Sequence, residues 1–228
     1  MPTRLPDTFY ARPTLRVARA LLGKVLVHDG PDGVAAGMIV ETEAYIGEDD
    51  PACHASFGRT ARSAPLFEAP GRGYVYLNYG IHCLFNAVTE REGRPAAVLV
   101  RALAPLDGVP LMRQRRAAFP VARGLPASAS RRRASPERNA HRRHPARSIP
   151  TADLCRGPGN LTRALGITLA HNRADLAAGV LRIEDRGLRV RRVAWGPRIG
   201  IRVGLDRPWR CWVVGHPSVS GRRSWRAA

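Results

Sequence analysis

Four apolar, strand-like runs in this chain are each broken by a side chain able to do chemistry. Glu43 and Tyr45 fall in Met38-Ile39-Val40-Glu41-Thr42-Glu43-Ala44-Tyr45, and Tyr76 in Tyr74-Val75-Tyr76-Leu77-Asn78-Tyr79. Asn86 interrupts Leu84-Phe85-Asn86-Ala87-Val88, and Arg101 interrupts Ala97-Val98-Leu99-Val100-Arg101-Ala102-Leu103. Strands alternate faces, so Glu43 and Tyr45 point the same way. A carboxylate or a guanidinium held mid-strand is costly unless it is paired or used. Several such groups in a strongly basic chain suggest chemistry on a polyanion.

The charge supports that direction. Lys and Arg total 37 against 18 Asp and Glu, a formal net charge of +19, and Lys24 is the only lysine. Arginine supplies planar forks suited to phosphates. An excess of this size points to nucleic acid or an anionic membrane. Membrane is the weaker partner: no apolar run approaches the ~20 residues of a spanning helix. Met1-Pro2-Thr3-Arg4 also lacks the apolar stretch of a signal peptide. The four cysteines, Cys53, Cys83, Cys155 and Cys211, lie far apart without a CxxC pair, which favours free thiols over a disulfide framework or a zinc finger.

The elements that must position these groups are short. Residues 13–22 and 108–117 read as helices, and 153–167 as a helix with a Gly/Pro-rich first turn and a glycine stop. Strands are expected at 24–28, 36–45, 73–79, 83–89, 96–103, 180–184, 188–193, 199–204 and 210–214. Between Arg113 and Arg147 eleven arginines stand against one acid, Glu137, among Pro, Ser and Ala. Residues 119–149 are therefore expected to be a disordered basic insertion within one domain spanning 1–228. A DNA-tracking arm and a neutral loop expansion both fit that stretch.

Taken in order, Val40-Glu41-Thr42-Glu43-Ala44-Tyr45, His54, Tyr74-Val75-Tyr76-Leu77-Asn78-Tyr79-Gly80, Asn86, Leu99-Val100-Arg101-Ala102-Leu103 and Arg156-Gly157-Pro158-Gly159-Asn160-Leu161 resemble the alkyladenine (3-methyladenine) DNA glycosylase family. The resemblance covers about residues 12–118 and 151–220. It implies an α+β fold: a single mixed domain around a curved, barrel-like antiparallel sheet with peripheral helices. It also implies base excision repair, in which an alkylated or deaminated purine is flipped out of double-stranded DNA and its N-glycosidic bond hydrolysed. No cofactor is implied, and the expected protein is a cytoplasmic, nucleoid-associated monomer.

Residue by residue, the resemblance makes Glu43 the base that activates water for attack on the sugar C1′, with Arg101 beside it. A solvated carboxylate and a structural salt bridge are the plain alternatives. Tyr45, His54 and Tyr76 become the walls around a flipped base, where electron-rich rings suit a cationic purine. Each would otherwise be ordinary core. A metal at His54 is weighed against, because no His/Cys/carboxylate spacing there fits zinc. Asn86 would exclude guanine. Tyr79, extended by Ile81, would be the wedge that fills the duplex where the base left. Gly157, Arg59, Thr60 and Arg62 would meet DNA, although Gly58-Arg59-Thr60-Ala61-Arg62-Ser63 departs from the family's usual segment.

Two rival functions remain. A glycosylase that also cuts the strand needs an amine nucleophile, and Lys24 or the Pro2 amine exposed by loss of Met1 could supply it. A basic DNA-binding module with a dead pocket is the other.

Overall fold

A computed structural model describes residues 1–118 and 149–221. The insertion expected at 119–149 lies, except for Ile149, outside the described residues. Strand β1 (Thr3–Arg4) and the single turn α1 (Asp7–Tyr10) lead into α2 (Thr14–Leu21). Thr14, Val17, Ala18 and Leu21 are buried, the spacing of one helical face. Gly23, at φ 88°, turns the chain out of α2.

β2 (Val25–Gly30) and β3 (Gly33–Ile46) follow as a hairpin, then β4 (Gly73–Asn78), β5 (His82–Val88) and β6 (Ala96–Asp107). After α3 (Val109–Ala117) come α4 (Pro158–Leu165), β7 (Leu181–Asp185), β8 (Val193–Gly196) and β9 (Arg210–Val213). Proline at the first position of α4 and Gly166 at φ 74° after its end mark the two boundaries read from the sequence. The strands form one antiparallel sheet in the order β1-β7-β2-β3-β6-β5-β4, with β9 paired to β3 and β8 to β9. The sheet is curved and stays open, so the fold class is the expected α+β without closure into a barrel.

Two expected strands are corrected. Residues 199–204 alternate Ile199, Ile201 and Val203 with other residues, yet they form a loop. Gly200 and Gly204 adopt φ 82° and 65°, which a pleated ladder does not accept. The strand read at 188–193 starts only at Val193, where Val213 first offers a pairing partner.

The alternation of β3 to β6 separates a core from a pocket. Ala44, Val75, Phe85, Ala87, Val98 and Val100 join the main core with α2 and α4. Their neighbours Tyr45, Tyr74, Tyr76, Val88 and Ala97 form a second, smaller cluster on the other face. Between β3 and β6 the register slips three times, once at Ala36/Gly37 and twice around Glu41. Ile39 faces Leu103, Glu41 faces Ala102 and Thr42 faces Val100, so Val40 and then Arg101 are extra residues. Paired bulges of this kind re-aim side chains next to functional sites.

Candidate active site

Alternation with Ala97 and Leu99 puts Arg101 on the face that carries Glu41 and Glu43. Arg101 Nη1 donates to Glu43 Oε2 at 3.3 Å, and its Nε donates to Glu41 Oε1 at 3.3 Å. Glu43 is fully buried but well supplied with donors. Tyr45 Oη donates to Oε2 at 2.9 Å, and the Ile199 backbone N–H donates to Oε1 at 2.7 Å. Burial works against the Arg101 charge, but Glu43 and Glu41 outweigh it, and its pKa is raised above the ordinary arginine value.

Thr42 and Ala44 point the other way, as alternation requires. Thr42 Oγ1 donates to the Ala18 carbonyl of α2 at 3.0 Å, and Ala44 sits in the main core. The carboxylate is thereby fixed to the scaffold from behind.

In front of it lies a pocket of about 350 Å³ lined by Tyr45, His54, Tyr74, Tyr76, Asn86, Leu99 and Arg101, with Tyr79, Pro158 and Ile199 at its sides. That volume lies in the usual range for small-ligand sites. The 3₁₀ turn His54–Phe57 delivers the histidine. His54 Nδ1 is 2.7 Å from Tyr74 Oη, and its ring meets Tyr76 edge-on with centroids 4.5 Å apart. Burial, with the nearby Arg62 charge, pushes the His54 pKa down to about 4. The imidazole is therefore neutral at pH 7, with Nε2 as its remaining polar atom. Asn86, buried on β5, donates from Nδ2 to the Tyr74 carbonyl at 3.0 Å.

The sequence matches the geometry. Residues 8–217 match the family described as methylpurine-DNA glycosylase. A protein of Methanocella arvoryzae is 45% identical over 96% of both chains. One of Chlorobium phaeobacteroides is 40% identical over 98% of both, and one of Rubrobacter xylanophilus is 43% identical over 89% of this chain and 90% of its own. Each of the three carries the name "Putative 3-methyladenine DNA glycosylase". This chain belongs to the methylpurine-DNA glycosylase family.

Within that family frame, the structure brings together Glu43, Arg101, Tyr45, His54, Tyr76 and Asn86. Tyr79 is not the last residue of a strand, as the alternation of 73–79 suggested. β4 ends at Asn78, and Tyr79 and Gly80 take φ 50° and 67°, with the Ile81 N–H donating to the Asn78 carbonyl at 3.1 Å. This is the tight hairpin turn that needs positive φ at both central residues. It leaves Tyr79 84% exposed and Ile81 54% exposed.

The neighbouring loop is partly committed to itself. The Thr60 N–H donates to Ser63 Oγ at 2.8 Å, Arg59 lies over the Phe67 ring, and Arg62 lies 5.1 Å from the Tyr76 centroid. Arg59, Thr60 and Arg62 nonetheless remain exposed. Gly157 caps α4 at φ 90°, with Asn160 Nδ2 4.0 Å from where a Cβ would stand. Among the described residues no group of three or more His, Cys, Asp or Glu could hold a metal ion.

Sequence reasoning missed what braces the site. Arg198 is fully buried, bonded to both oxygens of Asp50 at 2.6 and 2.8 Å, and stacked 4.7 Å from the Tyr45 centroid. This ion pair holds the 197–204 loop so that Ile199, the next residue, meets Glu43. The available signal was Gly196-Pro197 before Arg198 and Gly200 after it, which punctuate a loop and argue against a strand.

Proposed function

We propose that this protein excises alkylated and deaminated purines from double-stranded DNA, flipping the damaged nucleotide into the pocket and hydrolysing its N-glycosidic bond. One observation carries the reading: a fully buried carboxylate, Glu43, lies directly behind an aromatic pocket, bonded to three of the residues that line it, Tyr45, Arg101 and Ile199.

Tyr45, Tyr76 and His54 offer ring faces and edges to a flipped purine, and π-faces favour the cationic ring of an alkylated base. Glu43 takes a proton from water as it attacks C1′, and its negative charge opposes the positive charge building on the sugar. Arg101 orients the carboxylate. Tyr79 and Ile81, exposed on their turn, enter the gap left in the duplex. The phosphate backbone meets Arg59, Thr60, Arg62 and the Gly157 end of α4.

Hydrolysis without strand cleavage is favoured. Lys24 is ion-paired to Asp185 at 2.5 Å, and neither it nor Pro2 lines the pocket. The test is release of free base from alkylated and from hypoxanthine-containing duplexes, scored for wild type and Glu43→Gln. The wild type should release 3-methyladenine and hypoxanthine. The variant should lose at least ~100-fold in single-turnover rate, the scale of general-base loss, and keep its affinity for the damaged duplex. No borohydride-trapped adduct should form on abasic DNA. Absence of base release by the wild type, or near-normal hypoxanthine release by the variant, would overturn the assignment.

A further inference from the structure

Glu41 precedes Glu43 by two residues and shares its face of β3; neither carboxylate lines the pocket, but Glu43 bonds three lining residues, Tyr45, Arg101 and Ile199, whereas Glu41 bonds only Arg101 among them. It is fully buried and accepts four hydrogen bonds. They come from Arg101 Nε at 3.3 Å, Arg210 Nε at 2.7 Å, the Ser220 N–H at 2.7 Å and Ser220 Oγ at 2.8 Å. Ser220 Oγ in turn lies 3.4 Å from Arg101 Nη2. The Arg101 fork is thus held at two ends: its Nη1 serves Glu43, while its Nε and Nη2 are fixed by Glu41 and Ser220.

Two carboxylates face two guanidiniums here, and that balance makes the buried cluster tolerable. Ser220 lies past residue 217, where the family match ends.

We propose that Glu41 and Ser220 form an anchor for Arg101, and that both are positioning residues for excision, acting through Arg101 on the Glu43 carboxylate. The proposal rests on the glycosylase reading above. The contacts link Glu41 to the pocket and to Glu43 through the Arg101 guanidinium plane, which loses a fixed end when either partner goes.

The test uses single-turnover excision of 3-methyladenine from duplex DNA, a labile substrate whose release stays measurable when the machinery is weakened. Glu41→Gln should slow excision by about 10- to 100-fold, the scale of losing a hydrogen bond to a charged group. Ser220→Ala should slow it by about 3- to 10-fold, the scale of one ordinary hydrogen bond. Affinity for the damaged duplex should hold in both. In an Arg101→Ala background neither change should cost anything further, since the group they position is gone. Added guanidinium ion should restore part of the Arg101→Ala rate, and less of it when Glu41 is also Gln.

A purely structural role would lower the melting temperature and multiply through equally with or without Arg101. Wild-type rates in the folded variants, or equal fractional losses in both backgrounds, would overturn the anchor. If Glu41→Gln does not fold, Ser220→Ala in the two backgrounds decides. Glu43→Gln run alongside separates the two failures. If the wild type releases no base, the glycosylase reading falls, and if Glu43→Gln excises normally, Glu43 is not the base and the anchor falls with that role. If Glu43→Gln is inactive while the other two are normal, only the anchor falls.

Discussion

Tyr45 Oη donates to Glu43 Oε2 at 2.9 Å, two positions along the same face of β3. The phenol's pKa is raised far above its ordinary value, first by burial and then by the Glu43 charge, so it remains a donor at pH 7. Tyr45→Phe keeps the ring against the pocket and removes this bond. A hydrogen bond to a charged group is worth about 1.5–3 kcal/mol, so excision should slow roughly 10- to 100-fold. Binding of damaged duplex should change little, because the stacking face survives. A rate within twofold of wild type would show that the phenol plays no part in holding Glu43.

Asn86→Ser tests exclusion of guanine. The Asn86 amide is fixed by the Tyr74 carbonyl at 3.0 Å and cannot easily swing out of the way. Shortening it opens space against a 2-amino group. Release of 7-methylguanine and undamaged guanine should rise relative to hypoxanthine. An unchanged ratio would remove Asn86 from substrate choice.

Tyr79→Ala should act on flipping and leave the chemistry alone. Tyr79 is 84% exposed on a tight turn, so its removal leaves the core intact. The variant should lose activity on duplex lesions by roughly the few kcal/mol that unstacking costs, and much less on the same lesion in single-stranded DNA. Comparing single-turnover rates on the two substrates checks this. Equal losses on both would place the side chain in the pocket chemistry.

His54 gives a pH dependence. Its folded pKa of about 4 lies below the unfolded value of 6.5, so between the two the unfolded chain binds more protons. The stability that His54 contributes is present above about 6.5 and is lost as pH falls toward 4. In His54→Gln the fall in melting temperature across that window should be shallower than in wild type. A ring-proton titration by NMR would read the pKa directly, and a midpoint at the unfolded value would refute the buried, neutral imidazole.

The parts of this molecule that follow a local rule were legible in the sequence. The period-two pattern around Glu43, Tyr74 and Tyr76 gave both the strands and the shared face, and Pro158 and Gly166 bounded α4. What was not legible depends on partners far along the chain. Asp50 and Arg198 meet across 148 residues and Glu41 and Ser220 across 179, and no local pattern announces either contact. The 199–204 segment shows a rule failing for a physical reason. Its apolar residues alternate like a strand, but two left-handed glycines keep it a loop, and only a loop presents the Ile199 N–H to Glu43.

The division of β6 carries a consequence for how the protein can change. Val98 and Val100 belong to the core, while Ala97, Leu99 and Arg101 border the pocket, so folding and excision are written into one strand as interleaved texts. A point substitution edits one text and spares the other. A single inserted or deleted residue shifts the phase of both, placing core residues in the pocket and pocket residues in the core. Between Ala97 and Val100, where no bulge absorbs an extra residue, variation is therefore confined to replacement. Change of length must be sought elsewhere along the chain.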